Sequence, residues 1–137
     1  MVSTIMEIKD KESWYNILSK TPIIGSPEVL FNSDFIRICV FDDNSPVLAY
    51  QYKHYTYNLL GYKVKIALSY GLHGIGSLLI LESSNIRRYF YSLLRYIKDQ
   101  GYDVFNITIS PLQQLPDYVL CVLKNYSKCI PQFIFPV

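Results

Sequence analysis

The chain has 137 residues, half of them apolar and 18% charged, with a formal net charge of +2 at pH 7. A chain of this size and composition can bury a real core, which excludes a disordered tail or linker. Its Lys and Arg residues are spread along the sequence rather than gathered into runs, so it lacks the clustered basic footprint of a dedicated nucleic-acid binder.

The first ten residues meet charge early and contain no long apolar stretch, so they do not read as a secretory signal. No apolar run approaches the ~20 residues that a membrane span needs. A soluble, cytoplasmic protein with no membrane partner is the expectation. Asp10 then opens a short helix as N-cap, with Trp14, Ile17 and Leu18 at i, i+3 and i+4 as its apolar stripe, and Thr21-Pro22 ends it. Ser26-Pro27-Glu28 signals a second helix start that can run only a turn or two before Asn32-Ser33.

Residues 35–41 and 47–57 are β-rich runs separated by Asp42-Asp43-Asn44-Ser45-Pro46, a cluster that favours a turn, and together they predict a hairpin. The second run places Leu48, Tyr50, Tyr52, His54 and Thr56 on one face, with Val47, Ala49, Gln51, Lys53, Tyr55 and Tyr57 on the other. Asn58-Leu59-Leu60-Gly61 turns the chain. Tyr62, Val64, Ile66 and Leu68 then alternate against Lys63 and Lys65 to complete a three-stranded antiparallel meander.

The glycine-rich loop Gly71-Leu72-His73-Gly74-Ile75-Gly76 follows, and after it the apolar run 77–81 fits a strand or a helix by pattern alone. A short buried strand is favoured, because the cap-type residues Ser83, Ser84 and Asn85 would break a helix passing through them. The main helix is expected over 85–100, with Ile86, Phe90, Leu93, Leu94 and Ile97 on one face, Arg88, Ser92, Arg95 and Asp99 on the other, and Gly101 as its stop. A strand over 103–110 comes next, then a helix over 116–128 with Val119, Leu120 and Leu123 inward, and a final strand over 130–137. Residues 1–137 thus read as a single domain of α/β (α+β) class, a mixed, mainly antiparallel sheet with helices packed on it.

Few residues advertise chemistry. Cys39, Cys121 and Cys129 form no CxxC pair and read as reduced, mostly buried thiols; with His54 and His73 as the only histidines, no metal site is expected. Asp42-Asp43 reads as a solvated hairpin tip rather than an acid/base pair. Tyr50, Tyr52, Tyr55, Tyr57, Tyr62 and Tyr70, with Lys53, Lys63 and Lys65, suit sheet packing and an interface, and the same set could stack single-stranded bases. Arg87, Arg88, Arg95 and Lys98 read as a solvated helix face, with Arg95 and Asp99 paired at i, i+4.

Ser26-Pro27-Glu28, Ser69-Tyr70-Gly71, Gly76-Ser77-Leu78-Leu79-Ile80 and Gly101-Tyr102-Asp103 occur in an order that resembles the acetyltransferase-like (GNAT) superfamily. The order is most like one half-domain of the FemAB-type aminoacyltransferases. The resemblance implies a GNAT-like fold and, if the chain is an enzyme, N-acyl transfer. It further implies that Gly71, His73, Gly74, Gly76 and Ser77 would hold the pyrophosphate of coenzyme A, with Tyr70 as candidate general acid. Two departures stand out: Gly71 occupies the place of the family's Gln or Arg, and the helix start falls near Ser84, beyond the loop. FemAB-type enzymes also resemble two such half-domains in one chain, whereas this chain has room for one.

Three functions follow from this reading. The first is a small acyltransferase-like module without an evident autonomous active site or cofactor, acting through self-association or a protein partner. The second is a coenzyme A-dependent N-acyltransferase using the glycine loop. The third is a single-stranded nucleic-acid-binding module using the tyrosine sheet. A homodimer is expected through the C-terminal strand, where Phe133 and Phe135 carry no neighbouring charge, and part of the tyrosine-bearing sheet.

Overall fold

The computed structural model describes residues 3–19, 35–68, 78–107 and 116–126, without the side chains of Leu120 and residues 123–126. Its elements run β1 (Ser3–Glu7), α1 (Lys11–Leu18), β2 (Ile36–Asp42), β3 (Ser45–Leu59), β4 (Tyr62–Leu68), β5 (Leu78–Ile80), α2 (Ile86–Asp99), β6 (Val104–Phe105) and α3 (Asp117–Tyr126). The strands form one six-stranded sheet ordered β1-β2-β3-β4-β6, with β5 paired to β3. All described pairings are antiparallel except β4 with β6. The mixed, mainly antiparallel sheet expected from the sequence is therefore present.

One strand was not legible: β1, which pairs with β2 from Ser3 opposite Asp42 to Glu7 opposite Ile38. Its residues include a Met that stays 56% exposed, so the strand presents no continuous apolar signal. It exists because β2 offers it an edge. The Ser26-Pro27-Glu28 turn, the glycine loop, Cys129 and the final strand over 130–137 lie outside the described residues; of the strand expected over 103–110, residues 103–107 are described and only Val104–Phe105 are strand.

Helices cover both faces of the sheet. On one, α1 packs Trp14, Ile17 and Leu18 against Cys39, Ala49 and Leu79. Asp10 fixes its start, accepting a hydrogen bond from the Ser13 N–H at 2.8 Å, as its sequence position predicts. On the other face, α2 presents Ile86, Phe90, Leu93 and Ile97, as expected, together with Tyr89, to Ile38, Val40, Leu48 and Tyr50; α3 adds Val119 and Val122. Gly101, at φ +87, ends α2: its N–H donates to Lys98 O at 2.9 Å and that of Tyr102 to Ile97 O at 3.4 Å. These two bonds make the αL stop that glycine adopts without steric cost.

β3 is the long strand that organises the sheet. Its first half pairs with β2 on one edge and with β5 on the other, through Leu48–Ile80, Ala49–Leu79 and Tyr50–Leu78. Its second half pairs with β4, from Lys53 opposite Leu68 to Leu59 opposite Tyr62. β4 and β5 thus follow one another along the same edge of β3. No helix among the described residues is long and apolar enough to cross a membrane.

Candidate functional site

The junction between β5 and α2 is where the fold gathers polar backbone. Leaving β5, the N–H groups of Leu81 and Glu82 both donate to Val47 O, at 2.9 and 3.2 Å, and pin the chain to the start of β3. Ser84 N–H then donates to the Glu82 carboxylate at 3.1 Å, and Ile86 N–H to Ser83 O at 3.3 Å. Asn85 is the N-cap of α2, but its side chain makes no capping bond, and the first turn holds no acid. N–H groups in a first helical turn have no intrahelical acceptor, and together with the helix dipole they favour an anion.

Arg87 and Arg88 stand in that turn, where positive charge runs against the dipole. Their environments differ. Arg88 pairs with Asp42 at 2.6 Å, and the Tyr89 hydroxyl donates to the same carboxylate oxygen at 2.7 Å. The Asp42 side chain is only 13% exposed, so this half of Asp42-Asp43 is not a solvated tip. Arg88 is likewise not part of a solvated face; its guanidinium ties α2 to the β2–β3 hairpin. Arg95 and Asp99 form no ion pair among the described residues. Arg87 remains exposed, leaving its charge to face solvent at the helix start.

Two further groups border the junction. The Tyr118 hydroxyl of α3 donates to Ser83 O at 3.3 Å and lies 3.1 Å from Ser83 Oγ, with the residue half exposed. Hydrogen bonding to Ser84, first through its backbone N–H and then its hydroxyl, holds the Glu82 carboxyl below its usual range. A carboxylate resting on a loop N–H marks the place as one that accepts negative charge.

A second polar cluster lies at the far end of α2. His54 Nδ1 is 3.2 Å from the Tyr102 hydroxyl and its Nε2 is 3.2 Å from Thr56 Oγ1. Lys65 Nζ sits 4.5 Å over the Tyr102 ring and donates to Gln100 O at 2.7 Å. Burial raises the pKa of Tyr52, Tyr96 and Tyr102 in this region. These groups satisfy one another and close the C-terminal end of α2 onto β4. Among the described residues no three His, Cys, Asp or Glu side chains gather as metal ligands.

Tyr70, Gly71, His73, Gly74, Gly76 and Ser77 lie outside the described residues. The structure does show that β5 and residues 81–85 stand between them and α2, so the segment that opens the helix is Glu82-Ser83-Ser84-Asn85 rather than the glycine loop. The tyrosines divide by position along the sheet: Tyr50 and Tyr52, in the first half of β3, are buried, while Tyr55, Tyr57 and Tyr62, further out, are 51%, 51% and 77% exposed. They do not form one stacking platform. Cys39 is buried as expected and Cys121 is exposed. Sequence reasoning missed Asp42, Glu82, Arg87 and Tyr118 as site residues. Two arginines directly after a cap cluster were a usable signal, but no local pattern links Tyr118 to Ser83, 35 residues earlier.

Several solved acetyltransferases share this arrangement of strands and helices. An aminoglycoside acetyltransferase from an uncultured soil metagenomic sample superposes with a TM-score of 0.57 at 11% identity, over 100% of this chain and 99% of that one. Ribosomal-protein-alanine N-acetyltransferase from Brucella melitensis biovar Abortus 2308 gives 0.57 at 8%, covering 99% and 98% of the two chains. A predicted acetyltransferase from Clostridium acetobutylicum, solved with acetyl-CoA, gives 0.54 at 9%, covering 99% and 96%. No protein-family model and no curated sequence matches the chain. The fold is that of the GNAT acetyltransferases, and likeness at such low identity speaks for the fold alone.

Proposed function

We propose that the chain is a coenzyme A-dependent N-acyltransferase that holds the donor's pyrophosphate at the N-terminus of α2. The observation carrying this reading is the uncapped, acid-free first turn of α2 with Arg87 exposed beside it, at the end of a strand. Helix N-termini bind phosphate through their orphan N–H groups. The acetyl-CoA bound by the Clostridium neighbour supports the choice of donor.

Acyl-coenzyme A, when bound, would supply an acyl group activated as a thioester. The chain's own residues do the rest. The first-turn N–H groups beyond that of Ile86, which donates to Ser83 O, bind and orient the anion together with the Arg87 guanidinium. The Arg88–Asp42 pair holds the helix end in place against the β2–β3 hairpin. The Tyr118 hydroxyl donates to Ser83 O and braces the junction from α3.

The test is thermal stability with and without coenzyme A. A ligand at 100 times its dissociation constant adds ~2.7 kcal/mol, so a clear rise in melting temperature is expected, lost in Arg87→Glu. An unchanged melting temperature at millimolar coenzyme A overturns the proposal. A second reading rests on sequence order: the glycine-rich segment, the Leu78–Ile80 strand and the long helix followed by Gly101-Tyr102-Asp103 resemble a FemAB-type half-domain. In that case an aminoacyl donor, not coenzyme A, would stabilise the protein.

A further inference from the structure

The outer half of the β3–β4 hairpin is an amphipathic arm. Facing pairs Tyr55–Ile66, Tyr57–Val64 and Leu59–Tyr62 lie on one face, the side to which α1 packs further in. The opposite face carries His54, Thr56, Asn58, Lys63 and Lys65. Polar groups on one face and apolar groups on the other is the pattern of a sheet with something packed against it. Yet Tyr55, Tyr57, Leu59, Leu60 and Tyr62 are 51%, 51%, 53%, 95% and 77% exposed.

The turn at the arm's tip adds an independent observation. Leu60 and Gly61 are the two loop residues between paired Leu59 and Tyr62, and both have positive φ, +50 and +88. Such a turn prefers Asn or Asp at its first position, because a branched side chain is strained there. The β2–β3 hairpin obeys that preference with Asp43 and Asn44. At Leu60 the arm instead keeps a strained residue whose apolar side chain stands in water, and strain retained without a packing reward points to function.

We infer that this face is a homodimer interface and that its occupant is the same face of a second copy of the chain. At roughly 150–250 Å² for a tyrosine, the exposed fractions of Tyr55, Tyr57 and Tyr62 leave about 270–450 Å² of largely apolar surface in water, and Leu59 and Leu60 add to it. The patch lies toward the upper end of the ~300–600 Å² typical of the largest patch on a monomer and, with its rim, approaches the ~800 Å² that each partner contributes to a stable interface. The stripe carries no acid, and its one cation, Lys53, lies at its inner end, so nothing on it selects a charged partner. A two-fold axis near Tyr57 would bury the apolar rows against each other and leave the Lys53 ammonium groups at opposite rims. The lysines of the other face stay in water throughout.

Sedimentation of the full chain at micromolar concentration tests the inference. A dimer is expected, with a dissociation constant raised roughly a hundredfold by Tyr57→Lys at the centre of the patch. Leu60→Asn separates interface from fold: it relieves the turn, so the monomer should be at least as stable while the dimer weakens. Tyr91→Lys, at a residue 53% exposed on α2, should leave the dimer intact. A monomer up to the solubility limit, or a dimer indifferent to both arm variants, overturns the inference. Binding of the monomer to phosphatidylcholine–phosphatidylglycerol vesicles that is lost in Tyr57→Lys also overturns it, since the occupant would then be a lipid surface.

Discussion

β3 is one strand with two environments. Residues 47–52 are all buried and residues 53–59 all exposed, although the same alternation of side chains runs through both. The difference lies in what flanks them: α1 on one face and α2 on the other cover the first half, while the second half, paired among the described residues only with β4, runs out beyond both helices. Period-2 patterning announces a strand and the face each residue shares. It does not announce how far the neighbouring layers extend. The first half is therefore the scaffold that positions the β5–α2 junction, and the second is an arm whose tyrosines are available to other molecules.

The largest expected effect separates these halves by truncation. Tyr50 is fully buried, stacks on Tyr52 at 5.3 Å, meets Phe105 edge-on at 6.2 Å and donates its hydroxyl to Asn106 O at 2.7 Å. Tyr50→Ala should cost about 3–5 kcal/mol, as removal of buried aromatics does. Tyr57→Ala, measured on the monomer, should stay within about 0.5 kcal/mol, as surface substitutions do. Urea unfolding of the two variants checks this, and equal costs would break the comparison.

The two ion pairs seen among the described residues divide in the same way. Asp42–Arg88 joins the hairpin to α2 with the carboxylate largely buried, whereas Lys9–Glu7 spans 3.5 Å between side chains 83% and 39% exposed. Asp42→Ala strands the Arg88 guanidinium and the Tyr89 hydroxyl and should cost about 1–3 kcal/mol. Glu7→Gln should cost well under about 1 kcal/mol. If Asp42→Ala leaves stability and coenzyme A binding unchanged, the pair does not position the helix.

Alkaline titration sharpens the comparison further. Burial favours the neutral phenol and raises the pKa of Tyr50 and Tyr52 well above the ordinary value of 10.0. The folded protein keeps protons that the unfolded chain releases near pH ~10. Stability from these groups is full below that pH and falls as the pH climbs above it. The urea midpoint should decline from about pH 10 upward, less steeply in Tyr52→Phe; a flat midpoint up to pH ~11 would contradict the burial of these phenols.

Much of the fold could be read from the residues because the signals were local. Asp10 capping α1, the turn clusters bounding β2, β3 and β4, the i, i+3, i+4 stripe of α2 and its Gly101 stop each depend on neighbours in sequence. The missing pieces depend on distant partners. β1 needs the edge of β2, and Asp42 becomes a buried ion only because Arg88 arrives 46 residues later. The same limit applied at the candidate site. Glycines drew attention to residues 71–76, while the exposed helix end is at residues 81–88, where the informative feature is an absence of acid and of a side-chain cap.

The smallest effect tests the helix end most directly. Glu82 accepts the Ser84 N–H, and this bond holds its pKa down, so the carboxylate occupies ground that a phosphate would take. A donor pyrophosphate must then compete with it and tolerate a like charge nearby. Glu82→Gln removes the charge while keeping an oxygen that can accept the same bond. Because the side chain is exposed and screened by solvent, the gain in coenzyme A affinity should be modest, about two- to fivefold at low salt, and should shrink as salt is added. Calorimetric titration of the two proteins at two ionic strengths resolves this. Weaker binding by Glu82→Gln would mean that the carboxylate supports the loop's binding conformation rather than competing with the ligand, and would move the anion site away from Ser84.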